Sequence, residues 1–232
     1  MAKKNLFDLN AIEPLKLSRS KIDLFLQCPR CFYFDRKLGI SQPSGAPYTL
    51  NNTVDALLKR EFDQYRDKRE IHPFVKENGI DAIPFSHPEI ENWRNNKIGI
   101  QHVHSPTNFC LYGAIDDVWQ LSSGELVIVD YKAKATDKEI TLEPKRKKNG
   151  FQISKTAYFV FANALKDRTM FDNKLVFEKF LIPYQGDVLW IDQTLLEIRK
   201  CLESDKIPDL TQECDICQYC SSINQQIARN GE

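Results

Sequence analysis

The charged pair Asp130 and Lys132 stands at the end of an apolar run, in the segment 126–133 with the sequence LVIVDYKA. Residues two apart on a strand face the same side, so this carboxylate and ammonium are presented together while Tyr131 points to the other face. An isolated pair of this kind is most often an ordinary surface ion pair. Here the preceding run is apolar on both faces, as in a buried central strand, where an idle pair would be costly. The pattern therefore favours a functional role.

A second carboxylate, Asp116, lies on the preceding apolar segment, and Ser-Ser-Gly at 122–124 connects the two segments. A three-residue loop with its glycine in the left-handed conformation would place Leu121 across from Glu125. The same register sets Asp116 across from Asp130, with the two backbones about 5 Å apart. A two-residue turn would shift the register and separate the two carboxylates.

The two opposed aspartates would repel each other unless a cation lay between them, and a divalent ion with oxygen ligands is the usual solution. A lysine beside such a pair can orient or help to deprotonate an attacking water, and it can stabilise charge that develops on a phosphate. Asp117 faces away in this register. The sequence therefore predicts metal-dependent phosphodiester hydrolysis centred on Asp116, Asp130 and Lys132.

The cysteines form a second pattern, with Cys28 and Cys31 near one end of the chain and Cys214, Cys217 and Cys220 near the other. In a reducing compartment such spacing indicates metal ligation rather than a disulfide framework. Four thiolates suit either Zn²⁺ or an iron–sulfur cluster. A two-plus-two set of Cys28, Cys31, Cys214 and Cys217 is one possible arrangement.

The overall charge of the chain does not indicate what kind of partner it binds. The chain has 232 residues, with 32 Lys plus Arg against 32 Asp plus Glu, so affinity for nucleic acid must come from local patterning. Its start lacks a secretory signal, and no run reaches the roughly 18 apolar residues of a membrane span. We expect a soluble, cytoplasmic protein with no membrane partner.

Hydrophobic periodicity predicts an α/β protein in which three strands form an antiparallel meander and Pro29 breaks the first helix. The predicted helices are 18–37, 50–69, 89–94 and 192–203. The predicted strands are 98–104, 109–121, 125–133, 157–163 and 175–184, although 151–165 could also be read as a helix. We expect one domain over 1–232, with N-terminal helices at 18–70, a sheet core at 97–184, and a C-terminal helix and cysteine cluster at 190–232.

The segment GAIDDVWQLSSGELVIVDYKA resembles the core motif of RecB-type nucleases in the PD-(D/E)XK, or restriction-endonuclease-like, superfamily, and SRSKIDLFLQCPRCFYFDRKLGI is similar to the N-terminal helix of that family. The resemblance implies a mixed central sheet flanked by helices. It also implies Mg²⁺ or Mn²⁺ bound by Asp116, Asp130 and the Tyr131 backbone carbonyl, with Lys132 assisting hydrolysis. Asp55 stands where the family carries a metal-binding histidine, and its alternative is a helix-surface pair with Lys59.

The resemblance further implies that a cysteine-ligated metal site joins the termini. Several family members hold a 4Fe–4S cluster with one N-terminal and three C-terminal cysteines, which would here be Cys28, Cys214, Cys217 and Cys220. The family's Gln-x-x-x-Tyr helix is not matched. Only Gln152 lies near its place, after the basic run Lys145, Arg146, Lys147 and Lys148, which could contact DNA.

These features predict a deoxyribonuclease that acts from DNA ends or on single strands in repair, recombination or defence. The alternative is a catalytically weak DNA- or protein-binding module that retains the fold. In the family, the Gln-x-x-x-Tyr helix packs on the sheet. Without it, we expect an apolar face among residues 126–129 to stay partly uncovered, which would favour a homodimer or a helicase or repair partner.

Overall fold

A computed structural model describes residues 5–45, 47–138, 140, 156–166 and 174–230 of the chain. They form a mixed α/β protein that divides into two compact units. The first unit comprises Met1–Gly45, Gln101–Gly113 and Ile191–Glu232, and the second comprises Ala46–Ile100 and Ala114–Trp190. In chain order the elements are β1 (Leu15–Ser18), α1 (Arg19–Gln27), α2 (Pro29–Arg36), α3 (Thr49–Lys68), α4 (Pro73–Glu77), β2 (Ala82–Pro84), α5 (Ile90–Arg94), β3 (Ile100–His104), β4 (Phe109–Gly113), β5 (Asp117–Leu121), β6 (Leu126–Lys134), β7 (Thr156–Ala164), β8 (Phe177–Gln185), α6 (Ile191–Glu203) and α7 (Asp215–Asn230).

The first unit combines a three-stranded sheet of order β1-β4-β3, in which β1 and β4 are parallel, with four helices. Its first two helices confirm the predicted break, since α1 ends at Gln27 and α2 begins at Pro29. Proline is well tolerated there because the first turn of a helix has no internal partner for that backbone N–H. The hydroxyl of Tyr33 and the ammonium of Lys37, after α2, both donate to the carbonyl of Ser204, just after α6.

The second unit is built on a five-stranded sheet of order β2-β5-β6-β7-β8. The β6–β7 pair is parallel, and the other three pairs are antiparallel. Helix α3 packs on the sheet with one apolar face, as its spacing predicts. The core it forms includes Val54, Leu58, Phe62, Trp119, Val127, Val129 and Tyr131. The described part of 151–165 is β7, which confirms the strand interpretation there.

The predicted single strand over 109–121 and the predicted meander are wrong. Residues up to Gly113 form β4 in the first sheet, whereas Asp117 begins β5 in the second. The three residues between them belong to neither strand. Alternation of apolar residues reports which face of a strand is buried but not which sheet the strand joins, so the sequence pattern runs through the break without a signal.

The apolar face expected to be uncovered is covered on one side of β6. Val127 and Val129 are fully buried in the core beneath α3, whereas Leu126 and Ile128 on the other face are half-buried. None of the helices in the described part of the chain is both long enough and apolar enough to cross a membrane.

Candidate metal centres

The four-cysteine cluster, comprising Cys28, Cys31, Cys214 and Cys217, is built on two helix starts of the first unit. Cys28 is the N-cap of α2, and its Sγ accepts a hydrogen bond from the backbone N–H of Cys31 at 3.4 Å. Cys214 directly precedes α7, and Cys217 lies in the first turn of that helix. The free N–H groups and the partial positive charge of a helix start favour thiolates at such positions.

The four sulfur atoms converge although they come from opposite ends of the chain. Sγ of Cys217 lies 3.5 Å from that of Cys28 and 3.6 Å from that of Cys31, and Cys31 lies 3.7 Å from Cys214. All four lie within 4.8 Å of one another. The cluster is therefore compatible with a bound Zn²⁺ ion or iron–sulfur centre, as the cysteine spacing predicts.

Cys220 lies outside this group and is exposed. It is three residues beyond Cys217 on α7, which places it almost a full turn further along the helix. The structure thus brings together the two-plus-two set and departs from the set of one N-terminal and three C-terminal cysteines. Cys110 is buried in β4, and Cys201 is partly buried in α6.

The thiols of the cluster have unequal proton affinities. Burial opposes the Cys28 thiolate, but hydrogen bonds from the Thr211 side chain, the Cys31 amide and neighbouring thiols lower the pKa of Cys28 to about 7. Burial and the adjacent Cys28 sulfur raise the pKa of Cys217 to about 11, and burial also raises the pKa of Cys31. A cation among the four sulfurs would favour deprotonation of all of them.

The hairpin of β5 and β6 in the second unit has the predicted three-residue loop. The Leu121 N–H donates to the Glu125 carbonyl at 2.9 Å, and Gly124 has a φ of 85°. Within the ladder Asp117 pairs with Val129. This pair and the Leu121–Glu125 contact confirm the predicted register within the hairpin. Asp116 lies one residue before β5, where continuing the register would place it across from Asp130.

Asp130 and Lys132 share one face of β6, and Lys132 Nζ lies 2.5 Å from Asp130 Oδ2. Both side chains are partly exposed, but the Asp130 Oδ2 that faces Lys132 is itself buried. The intervening Tyr131 turns its ring to the buried face. This arrangement agrees with the alternation expected of a strand.

Asp116 is held by three groups of the second unit. Its Oδ2 accepts the backbone N–H of Tyr131, and its Oδ1 accepts from Lys59 Nζ, both at 2.9 Å. Its backbone carbonyl accepts from Arg94 Nε at 2.9 Å. Lys59 Nζ also lies 2.8 Å from Asp55 Oδ2. The carboxylates Asp55 and Asp116 are therefore bridged by an ammonium.

The Asp55–Lys59 pair is the helix-surface alternative anticipated for Asp55. Within the described residues, Asp55, Asp116 and Asp130 do not form a group of three with ligand atoms inside 4.8 Å, a property that is limited there to the four cysteines. Lys59 was not predicted as a site residue. Its i,i+4 spacing from Asp55 is visible in the sequence, but its contact with Asp116, 57 residues away, is not. Burial opposes the Lys59 charge, but the two carboxylates raise its pKa overall.

A buried ionic network, comprising Asp63, Arg66, Arg94, Asp117 and Tyr131, lies behind the hairpin. Asp117 is fully buried and accepts from the Tyr131 hydroxyl at 2.7 Å and from Arg66. Arg94 binds Asp63 through two nitrogens and lies 3.4 Å from Asp117. Burial, reinforced by the charge of Asp117, raises the pKa of Tyr131, so Tyr131 donates its proton to that carboxylate.

The predicted DNA contacts Lys145, Arg146, Lys147, Lys148 and Gln152 lie outside the described residues. Among the described residues, the structure brings together one possible metal-ligating group, the four cysteines of the first unit. The predicted acidic residues of the second unit lie on the hairpin and α3. No protein-family model matches the chain, and no curated protein matches its sequence.

Proposed function

We propose that the protein is a divalent-metal-dependent DNA nuclease with a restriction-endonuclease-like core, in which Asp116, Asp130 and Lys132 form the reactive centre. The observation that carries this proposal is the hairpin register, in which Asp117 pairs with Val129, so that one further step would set Asp116 across from Asp130. Lys132 lies on the same face of β6 as Asp130. Two opposed carboxylates with an adjacent ammonium are suited to binding a cation and a phosphate group.

The sheet topology supports the same proposal. An antiparallel hairpin is followed by a strand parallel to its second member, with α3 on one face. A mixed sheet of this order agrees with the architecture that the resemblance implies.

The donor chemistry fits a hard cation. Asp116, Asp130 and the Tyr131 carbonyl offer oxygen ligands, which Mg²⁺ and Mn²⁺ prefer. When bound, the ion would polarise a phosphate oxygen and lower the pKa of a water ligand. The Lys132 ammonium would orient that water and stabilise negative charge on the phosphate. The Arg94 and Tyr131 contacts would hold Asp116 in place during the reaction.

We propose Zn²⁺ as the occupant of the four-cysteine cluster. Zinc–sulfur bonds of about 2.3 Å in a tetrahedron put sulfurs about 3.8 Å apart. Three of the sulfur pairs here are 3.5–3.7 Å apart, and all four sulfurs lie within 4.8 Å of one another. In a 4Fe–4S cluster each thiolate binds a different iron atom, which spreads the sulfurs further. Four protein ligands leave no open position, so this zinc would be structural.

The nuclease proposal is tested with end-labelled single-stranded DNA, duplex DNA and RNA, in Mg²⁺, Mn²⁺ or EDTA. We expect cleavage of DNA that EDTA abolishes. Asp130→Asn should lower the rate at least about a hundredfold and weaken Mn²⁺ binding, whereas Lys132→Ala should lose rate and keep Mn²⁺ binding. Asp137→Asn, an exposed carboxylate beyond the end of β6, is the matched control and should cleave like wild type.

Equal Mn²⁺ binding by wild type and Asp130→Asn in calorimetry would contradict the proposed site. Metal-dependent DNA binding without cleavage would instead identify a binding module.

For the cysteine cluster, elemental analysis should find one zinc per chain in colourless protein. A brown protein containing iron and inorganic sulfide would overturn the zinc assignment.

A further inference from the structure

Lys59 occupies an unusual place for a lysine beside a proposed cation site. It lies on α3, and its side chain is only 19% exposed. Its ammonium lies 2.8 Å from Asp55 Oδ2 and 2.9 Å from Asp116 Oδ1. One compact positive charge therefore bridges two carboxylates that come from separate segments of the chain.

The two oxygens of Asp116 have partners of different kinds. Oδ2 accepts the Tyr131 N–H, a backbone group fixed within the sheet. Oδ1 accepts from Lys59, whose ammonium is carried on a flexible four-carbon chain. A divalent ion that binds Asp116 would repel an ammonium on the same carboxylate. Lys59 is the partner that can move away.

Asp55 can keep its ion pair with Lys59 when the ammonium leaves Asp116. It lies one helical turn before Lys59, and an i,i+4 pair on a helix forms independently of the sheet. An ammonium that leaves Asp116 therefore loses only one of its two ion pairs. The cost of displacement is lower than for a lysine with a single partner.

We propose that Lys59 is a built-in counter-ion of the acidic site, which occupies Asp116 in the absence of metal, is displaced toward Asp55 by a divalent cation, and thereby sets the metal affinity. This inference rests on the metal site of the proposed function. It makes Lys59 a positioning residue rather than a catalytic one. At low ion concentration the ammonium would stay on Asp116, and the site would bind a divalent ion only when that ion outcompetes the ammonium.

The test is Mn²⁺ titration of the full chain, followed by electron paramagnetic resonance and calorimetry. Lys59→Met should bind Mn²⁺ about tenfold more tightly than wild type, because the competing charge is gone. Lys59→Arg keeps the charge and should bind like wild type. Without metal, Lys59→Met should melt at a lower temperature, and Mn²⁺ should raise its melting temperature more than that of wild type.

Two controls assign the effect to this site. Lys179→Met removes a lysine of similar exposure, 29%, that pairs with Glu61 in the same unit, and it should leave Mn²⁺ affinity unchanged. Adding Asp130→Asn to Lys59→Met should abolish the tight binding. If Lys59→Met does not fold, Lys59→Gln supplies the same loss of charge with a polar side chain.

Unchanged Mn²⁺ affinity in the uncharged variants would overturn the counter-ion role even if the protein cleaves DNA. A shift in affinity without DNA cleavage by any variant would leave the counter-ion role standing and contradict the nuclease. Absence of Mn²⁺ binding in wild type and in the uncharged variants would overturn both proposals.

Discussion

The four-cysteine cluster and the acidic residues of the β5–β6 hairpin differ in how far apart in sequence their members lie. The cluster joins Cys31 to Cys214 across 183 residues, whereas Asp116 meets the Tyr131 amide across only 15. The cluster therefore exists only when the first unit has closed, whereas the hairpin site needs only one turn to form correctly. The hairpin site also carries its own counter-charge in Lys59. The cluster should depend on metal for stability, and the hairpin on protein ion pairs.

Loss of one cluster ligand should produce the largest effect. Cys217→Ser removes a thiolate from the proposed zinc, and structural zinc contributes about 10–16 kcal/mol to small metal-dependent folds. We expect a destabilisation above about 5 kcal/mol and loss of zinc. Hydrogen exchange should show lost protection at the amides of α2 and α7.

Cys220→Ser is the matched control for that change, because this thiol lies on the same helix but is exposed and outside the cluster. It should retain zinc and wild-type amide protection. Loss of zinc from Cys220→Ser with retention by Cys31→Ser would reverse the ligand assignment. It would favour the set with three C-terminal cysteines.

Removal of Asp117 should produce the next largest effect, this time without any role for metal. Asp117→Ala leaves Arg66, Arg94 and the Tyr131 hydroxyl without their shared acceptor. Breaking a buried charge pair on one side costs about 3–5 kcal/mol. Tryptophan fluorescence in urea reports this loss, since all three tryptophans, Trp93, Trp119 and Trp190, lie in the second unit.

Glu91→Gln tests the exposed edge of the same network. Glu91 pairs with Arg94 at 3.1 Å but is largely exposed, so its loss should cost less than about 1 kcal/mol. Equal destabilisation by Asp117→Ala and Glu91→Gln would show that burial does not govern this network. The expected contrast between this network and the four-cysteine cluster, which we propose depends on metal, would then be wrong.

A similarly small effect, but one that depends on pH, is expected at Glu61, which binds His72 and Lys179 in the second unit. Its hydrogen bond with His72 and its pair with Lys179 outweigh burial and lower the pKa of Glu61 from 4.5 to about 2. Because the pKa is lowered on folding, the stabilisation is present above pH 4.5 and is lost as the pH falls through about 2.

Glu61→Gln should therefore lower the free energy of unfolding by about 1 kcal/mol at pH 5, a small value because the side chain is 43% exposed. The difference from wild type should shrink as the pH falls from 4.5 toward 2. Urea titrations at several pH values measure it. A difference that grows on acidification would contradict the assignment of the shift to these contacts.

Local patterns predicted much of this fold and of its sites. The period of α3, the proline break before α2 and the register through Gly124 depend on neighbours in sequence. Short elements such as β2 and α4 carried too few residues for a periodic signal. The Asp116–Lys59 contact and the choice of Cys31 over Cys220 were not predictable, because they depend on packing between distant segments.

The first unit is interrupted in sequence. The cysteines of its cluster are therefore synthesised at different times. At about 5–20 residues per second, roughly 10–40 s separate the translation of Cys31 from that of Cys214, which lie 183 residues apart. Throughout that interval the N-terminal pair has no C-terminal partners, while the whole of the second unit is made. Loading of the proposed zinc should therefore be a late event, on the ribosome or after release. A nascent chain stalled before residue 214 should hold zinc only weakly, whatever the affinity of the finished protein.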